Sequence, residues 1–335
     1  TVNMASALWT RNKADITAAQ YNDFYRHISH AFDDPWDILH YKAEGTIEYT
    51  ALMFIPTKTP FDIFQPNRNA QIKLYINRVF ITDQVPDMLP NYLRFVQGVI
   101  DTKELPLNVS REMLQRTPVL AKIKMGVVRR ILNELKKRSE NEQDYLKFWD
   151  AFGAVLKEGI FEDPENREEI AGLCRFYSTN GDGLTTLDDY VSRMKDGQKS
   201  IYYITGDDLA VLRNNPQLEG FAARGVEVLL LVDPIDEFWP QGLTQYKEKT
   251  IKAVNAGAQE LETLAVTDDS GKAEKAPQSD LDALMKFMKD IVGDEVKEVR
   301  TTERLTKSPV ALSTGDGEAS IHLERLMRQH NQPSL

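Results

Sequence analysis

Residues 1 to 44 are predicted to hold several short helical stretches: Asp15 precedes ITAAQYNDFYRHISHAF, with Ile16, Tyr21, Phe24, Tyr25, Ile28 and Phe32 recurring at mostly helical spacing. The period then drops to two. In TIEYTALMFI, residues 46 to 55, Ile47, Tyr49, Ala51, Met53 and Ile55 share one face of a predicted strand that Pro56 ends. QIKLYINRVFIT, residues 71 to 82, predicts a second strand, with a bulge or break at Asn77-Arg78. MLPNYLRFVQGVID, residues 88 to 101, reads as an apolar helix. A proline-marked stretch, ELPLNVSREMLQ, follows at 104 to 115 and runs into a short helix. Thr117 then caps a long helix with Pro118 at its first position, reaching about Ser139 with Leu120, Ile123, Val127, Ile131 and Leu135 on its buried stripe. Residues 144 to 177 continue as helices around Phe148, Trp149, Phe152, Val155 and Leu156.

A second α/β pattern begins at SIYYIT, residues 200 to 205. Helix, break and helix lead to Gly225, and VEVLLLVD, residues 226 to 233, is apolar enough for a strand buried on both faces. The two strands are predicted to be parallel with a crossover between them. The polar run from about 265 to 278 reads as a linker. LDALMKFMKDIVG then predicts an amphipathic helix, EVKEVRTTERL a strand, and EASIHLERLMRQH a last amphipathic helix.

The chain has 335 residues, and its formal charge of −10 disfavours both nucleic acid and anionic membrane as partners. Its lone cysteine, Cys174, forms no internal disulfide and reads as buried and inert. No apolar run approaches a membrane-spanning helix, and the N-terminal residues show no signal-peptide pattern. The start at Thr1 reads as that of a fragment, and the expected compartment is the cytoplasm.

Residues with catalytic chemistry are sparse. His27 and His30 lack further ligands at metal-binding spacing, so a solvated helix face is the plainer reading and no metal site is expected. STNGDGLTTLDD, residues 178 to 189, only faintly imitates a calcium loop. Asp233 at a strand end reads as a cap for the next turn. Neither G-x-G-x-x-G nor G-x-x-x-x-G-K-[ST] occurs, so those nucleotide pockets are not expected. The helix from Arg116 to Arg138 carries eight basic residues against one acid, Glu134, which allows a solvated face or a positive field around an anion. Arg111 is the sharpest candidate. Asn108 or Ser110 would cap its helix, Gln115 lies one turn on, and a guanidinium fork there suits phosphate oxygens. The alternative is a surface ion pair with Glu112 or Asp101.

The run YINRVFITDQVPDMLPNYLRFVQGVIDTKELPLNVSREMLQ, residues 75 to 115, resembles the middle domain of the 90-kilodalton heat-shock protein chaperones. So do ALWTRN, FIPTKTPFDIF, DYVSRM, IYYITG and VLLLVDPIDE, and the details look most like the bacterial form, high-temperature protein G. The resemblance implies α/β architecture: a larger αβα unit over 1–140, a helical connector over 141–175 and a smaller αβα unit over 176–256. A linker over 257–278 and a partial α+β C-terminal domain over 279–335 would follow, with the helices that make the parent a homodimer beyond Leu335.

The implied function is ATP-dependent chaperoning. ATP with Mg would be held by an N-terminal domain that this chain lacks, so the parent would be an ATPase and this segment alone inactive. By resemblance Arg111 contacts the γ-phosphate, with Gln115 and Asn108 in the same loop. Trp9 and Phe80 match positions linked to clients or to docking of the nucleotide domain. Glu237 and Phe238 match part of a client patch, and Leu323, Leu326 and Met327 match the client face of an amphipathic helix. Core packing is the alternative for Trp9, Phe80 and the last helix. The order Glu237-Phe238-Trp239 departs from the family's usual Glu-Trp, and Asn77 stands where eukaryotic relatives carry a basic residue. Two rival readings are a stand-alone anion-binding enzyme around Arg111 and a passive protein-binding scaffold.

Overall fold

The computed structural model describes residues 7–312, except 66–67, 84, 86–87, 108–113, 115–116, 257–259, 262, 265–277 and 303–304. The chain divides into two compact units, one ending at Arg175 and the other beginning at Phe176. Each unit holds one sheet with helices, so the class is α/β.

The first unit is built on β1 (Pro35–Ala43), β2 (Tyr49–Pro56), β3 (Gln71–Ile76), β4 (Val79–Thr82) and β5 (Gln97–Thr102). Their order is β1-β2-β5-β3-β4, and only β3 and β5 run parallel. Helix α1 (Ala18–Ser29), started by a Thr17–Gln20 capping box, brings Phe24 and Tyr25 onto Leu52 and Phe54 of β2. Helices α2 (Pro118–Ser139) and α3 (Glu142–Lys157) supply other partners. Arg130 of α2 lies 5.6 Å from the Tyr41 ring, and Phe148 of α3 stacks 4.9 Å from Trp36. β2 shows one apolar alternation in sequence, yet both of its residue classes are buried. Two short helices, α4 (Gly159–Glu162) and α5 (Arg167–Leu173), complete the unit. Arg94 is buried and bonds the Ile63 carbonyl at 2.6 Å while forking onto Glu158, so this guanidinium has a structural task.

Four expectations need correction here. The predicted apolar helix at 88–101 is a single 3-10 turn, Asn91–Leu93, followed by the central strand β5. Every residue of β5 is buried, so it lacks the alternation that betrays a strand. β1 occupies part of the 1–44 segment expected to hold short helices, and it was missed as a strand because Asp37, His40 and Lys42 break up its apolar pattern. The irregularity at Asn77-Arg78 is a two-residue hairpin turn, with φ of 49° and 66°, joining β3 to β4. Residues 296–302, part of the predicted strand near 295–305, are not in a strand, since alternation alone supplies no ladder partner.

The second unit has β6 (Phe176–Ser178), β7 (Leu184–Thr185), β8 (Ser200–Thr205), β9 (Val228–Leu231), β10 (Gln245–Tyr246) and β11 (Lys249–Ala253). Their order is β10-β11-β8-β9-β6-β7, with β11, β8 and β9 parallel, so the predicted parallel pair lies at the sheet's centre. Helices α6 (Leu187–Ser192), α7 (Leu209–Arg213), α8 (Glu219–Ala222), α9 (Trp239–Gly242) and α10 (Gln278–Val292) belong to this unit. Leu212 of α7 and Phe221 of α8 pack with Tyr202, Val228 and Leu230.

Glu219, opening α8, holds a C-terminal stretch. Its carboxylate accepts the N–H groups of Thr306 at 2.6 Å, Lys307 at 2.8 Å and Ser308 at 3.1 Å, and the Ser308 hydroxyl at 2.5 Å. Burial opposes the charge, but these donors win and hold the Glu219 carboxyl down at about 2. A depressed folded-state value stabilises the contact above the ordinary carboxylate range, and that stability is lost as pH falls through about 2. Hydrogen exchange at Thr306–Ser308 is therefore expected to stay slow at pH 4. Glu219→Gln should speed it about tenfold at neutral pH by replacing charge-assisted bonds with neutral ones. Equal exchange in the variant would show that Glu219 does not hold this stretch.

Candidate functional site

β5 is the middle strand of the first sheet, antiparallel to β2 and parallel to β3. Ligands in α/β folds gather beyond the carboxyl ends of parallel strands, and here the chain leaves β5 into the 103–117 connection. The root of this connection is fixed. The Thr102 hydroxyl donates to the Glu48 carbonyl at 2.9 Å and accepts the Glu104 N–H at 3.2 Å. Leu105 and Leu114 are buried, which pins the connection near both ends. Asn108, Arg111 and Gln115 lie outside the described residues. Beyond them Pro118 opens α2, whose first turn holds no acid; Thr117 stands at the cap position, but its side chain makes no capping hydrogen bond, unlike the cap expected from sequence. Three basic residues late in α2 have partners: Glu134 for Arg130 and Lys137, and Asp37, Asp144 and the Trp36 ring for Arg138. These three of the eight basic residues between Arg116 and Arg138 are engaged in ordinary ion pairing.

Asp101, one residue before the root, is buried. Its Oδ2 accepts the Trp9 indole N–H at 2.8 Å, and its Oδ1 accepts the Arg78 backbone N–H at 3.2 Å. The acid that the sequence offers as a surface partner for Arg111 is thus turned inward and engaged. The Trp9 carbonyl meets His40 Nε2 at 2.9 Å, and His40 Nδ1 meets the Tyr21 hydroxyl at 2.7 Å. A carbonyl can only accept, so Nε2 carries the proton and Nδ1 accepts from tyrosine. Burial lowers the His40 pKa and favours this neutral form.

Trp9 itself is 6% exposed and packs 4.5 Å from Tyr75 and 5.9 Å from Phe24. It serves the core and presents no surface as placed. Phe80 touches Tyr75 edge-on at 5.6 Å yet is 51% exposed, so only this member of the pair faces outward. Phe32, expected among the apolar residues at helical spacing, lies beyond the end of α1 at Ser29 and is exposed, as are Phe61 and Phe64, which sequence reasoning did not single out. Nor did it single out Asp101 as a holder, although an acid ending the apolar run FVQGVID signals a buried carboxylate in need of donors.

In the second unit Glu237 is buried, Phe238 is exposed and Trp239 is fully buried. The Trp239 indole donates to Asp236 Oδ1 at 2.6 Å and its ring lies 5.6 Å from Phe176. The order Phe-Trp therefore sends tryptophan to the core and leaves phenylalanine at the surface. Leu323, Leu326 and Met327 lie outside the described residues. Asp233 stands before the turn Pro234–Glu237, where Asp236 accepts its N–H at 3.0 Å. The 178–189 stretch forms the β6–β7 turn and the start of α6, with Thr186 capping Asp189 at 2.9 Å. Among the described residues no group of three or more His, Cys, Asp or Glu could hold a metal ion. No described helix is long and apolar enough to cross a membrane.

Comparison with known proteins extends this geometry. A family model described as Hsp90 protein matches residues 1–333. A chaperone protein HtpG of Paramagnetospirillum magneticum is 58% identical over 335 residues, covering 99% of this chain and 54% of the relative. That of Gluconobacter oxydans is 52% identical over 331 residues, covering 98% of this chain and 52% of the relative. The chain thus spans about half the length of the curated relatives it matches. Among solved structures, the middle domain of a Plasmodium falciparum putative heat shock protein aligns with TM-score 0.66 and 35% identity, covering 74% of this chain and 99% of that one.

Proposed function

This chain belongs to the Hsp90 family and carries its middle domain, and on that basis we propose that it is the segment of an ATP-dependent chaperone that completes the ATP site and binds non-native clients. Arg111 meets the γ-phosphate of ATP held, with Mg, by a separate N-terminal domain. Asn108 and Gln115 shape the same loop. A guanidinium fork stabilises charge on the transferring phosphoryl group without a proton transfer, so the loop needs no general base of its own. Nothing in this segment is assigned to holding the nucleotide or the metal. The observation that supports the reading is the inward engagement of Asp101 by Trp9 and Arg78, which takes up the nearest buried acid at the loop's root.

Clients are bound by apolar side chains, with Phe80 exposed on the first unit and Phe238 exposed on the second, and Leu323, Leu326 and Met327 are assigned the same task. Such residues suit weak, adaptable contact with unfolded chains. A cytoplasmic location and a homodimeric full-length parent complete the reading.

ATP turnover tests it. The full-length protein is expected to hydrolyse ATP at least about tenfold faster than its isolated nucleotide domain, while this segment alone hydrolyses none. Equal rates for the first two would support a passive scaffold. Saturable binding and turnover of ATP by the segment alone would support a stand-alone enzyme.

A further inference from the structure

We propose that Asp101 is a positioning residue for the arginine loop, joining the Phe80 hairpin and the Trp9 segment to the loop's root. The inference rests on the role given to Arg111 above. One carboxylate gathers three stretches that are far apart in sequence. Oδ2 takes the Trp9 indole N–H at 2.8 Å, Oδ1 takes the Arg78 N–H at 3.2 Å, and the side chain itself projects from the penultimate residue of β5. Thr102, which follows, makes the two bonds that start the connection.

Each partner leads elsewhere. Arg78 is in the β3–β4 turn with φ of 66°, a backbone state that disfavours side chains, so the carboxylate helps hold a strained turn. That turn presents Phe80, which touches Tyr75, and Tyr75 in turn touches Trp9. A continuous set of contacts therefore runs from an exposed aromatic to the strand end that launches the loop. A buried carboxylate is an expensive way to satisfy two neutral donors. Its use here fixes three segments against one another, and an arginine that must meet a phosphate within a fraction of an ångström depends on such a fixed root.

The test uses the full-length protein with Asp101→Asn, Trp9→Phe, which keeps a ring but loses the N–H, and the double variant. Arg111→Ala is measured in parallel, and Ile160→Val, a buried change elsewhere in the first unit, calibrates the effect of lost stability. Asp101→Asn and Trp9→Phe are each expected to lower kcat about tenfold, with KM for ATP within about twofold of wild type. The double variant should lose less than the product of the two single losses, because both act on the Trp9–Asp101 contact. Unchanged kcat, losses that multiply, or losses no greater than those of Ile160→Val at equal Tm would overturn the proposal while leaving the arginine role intact. Should Arg111→Ala retain wild-type turnover, the arginine role fails and the positioning role falls with it.

Discussion

Arg111→Ala in the full-length protein is expected to lower ATP turnover about 10³-fold or more, with ATP binding changed only a few-fold. The magnitude follows from what an arginine contributes when it reaches a phosphoryl group in a water-poor site, where such groups account for about 10³ to 10⁵ in rate, or roughly 4 to 7 kcal/mol. Binding should be spared because, under the proposed function, another domain holds the nucleotide and the guanidinium acts on its last phosphate. Arg111→Lys should recover only part of the loss, since an ammonium restores charge without the planar fork. Steady-state turnover together with equilibrium nucleotide binding separates these effects. Turnover within twofold of wild type in the alanine variant would remove Arg111 from the mechanism, leaving client holding as the segment's task.

Gly98→Ala should destabilise the first unit by about 4 kcal/mol, lowering its Tm by roughly 10 °C. Gly98 lies in the middle strand opposite Met53. Its φ is 154°, and a Cβ there would lie 2.3 Å from the Leu52 carbonyl oxygen and 2.7 Å from the Met53 Cα. Both are backbone atoms of a paired strand, so no side chain can rotate away to make room. β2 and β5 would have to part at the sheet's centre. Gly183→Ala is the control, because nothing lies within 4 Å of a Cβ at that position. It should shift stability by under about 0.5 kcal/mol. Thermal unfolding of both variants checks the contrast, and equal Tm values would refute the packing argument.

The parts of this fold that could be read from sequence are those whose burial is one-sided or whose caps are explicit. The helix Pro118–Ser139 shows its stripe and its opening proline; the strand Tyr49–Pro56 was legible although both of its faces are buried, because Glu48 and Thr50 leave an alternation at its start. Gln97–Thr102 was hidden by being buried all round, where strand and helix offer the same apolar run. Pro35–Ala43 was hidden for the opposite reason, as polar residues interrupt it. Site residues follow the same division. Local chemistry brought out Arg111 with Asn108 and Gln115, and the likeness of 104–115 to a family loop added a role for them, but no local pattern says which way an aromatic faces. Trp9 and Phe80 look alike as exposed candidates in sequence, and only the contacts with Asp101 and Tyr75 show one to be inside and the other at the surface.

The strand order β1-β2-β5-β3-β4 has a kinetic consequence. The β1–β2 and β3–β4 hairpins are local in sequence and can pair as soon as each is synthesised, but they cannot join each other. Both keep an open edge until β5, the last of the five to leave the ribosome, slides between them. The loop with the arginine follows directly from that late strand. A nascent or misassembled first unit therefore lacks the strand end from which residues 103–117 depart, and on the proposed role of Arg111 such a unit is expected to give no stimulation of ATP turnover until the sheet has closed.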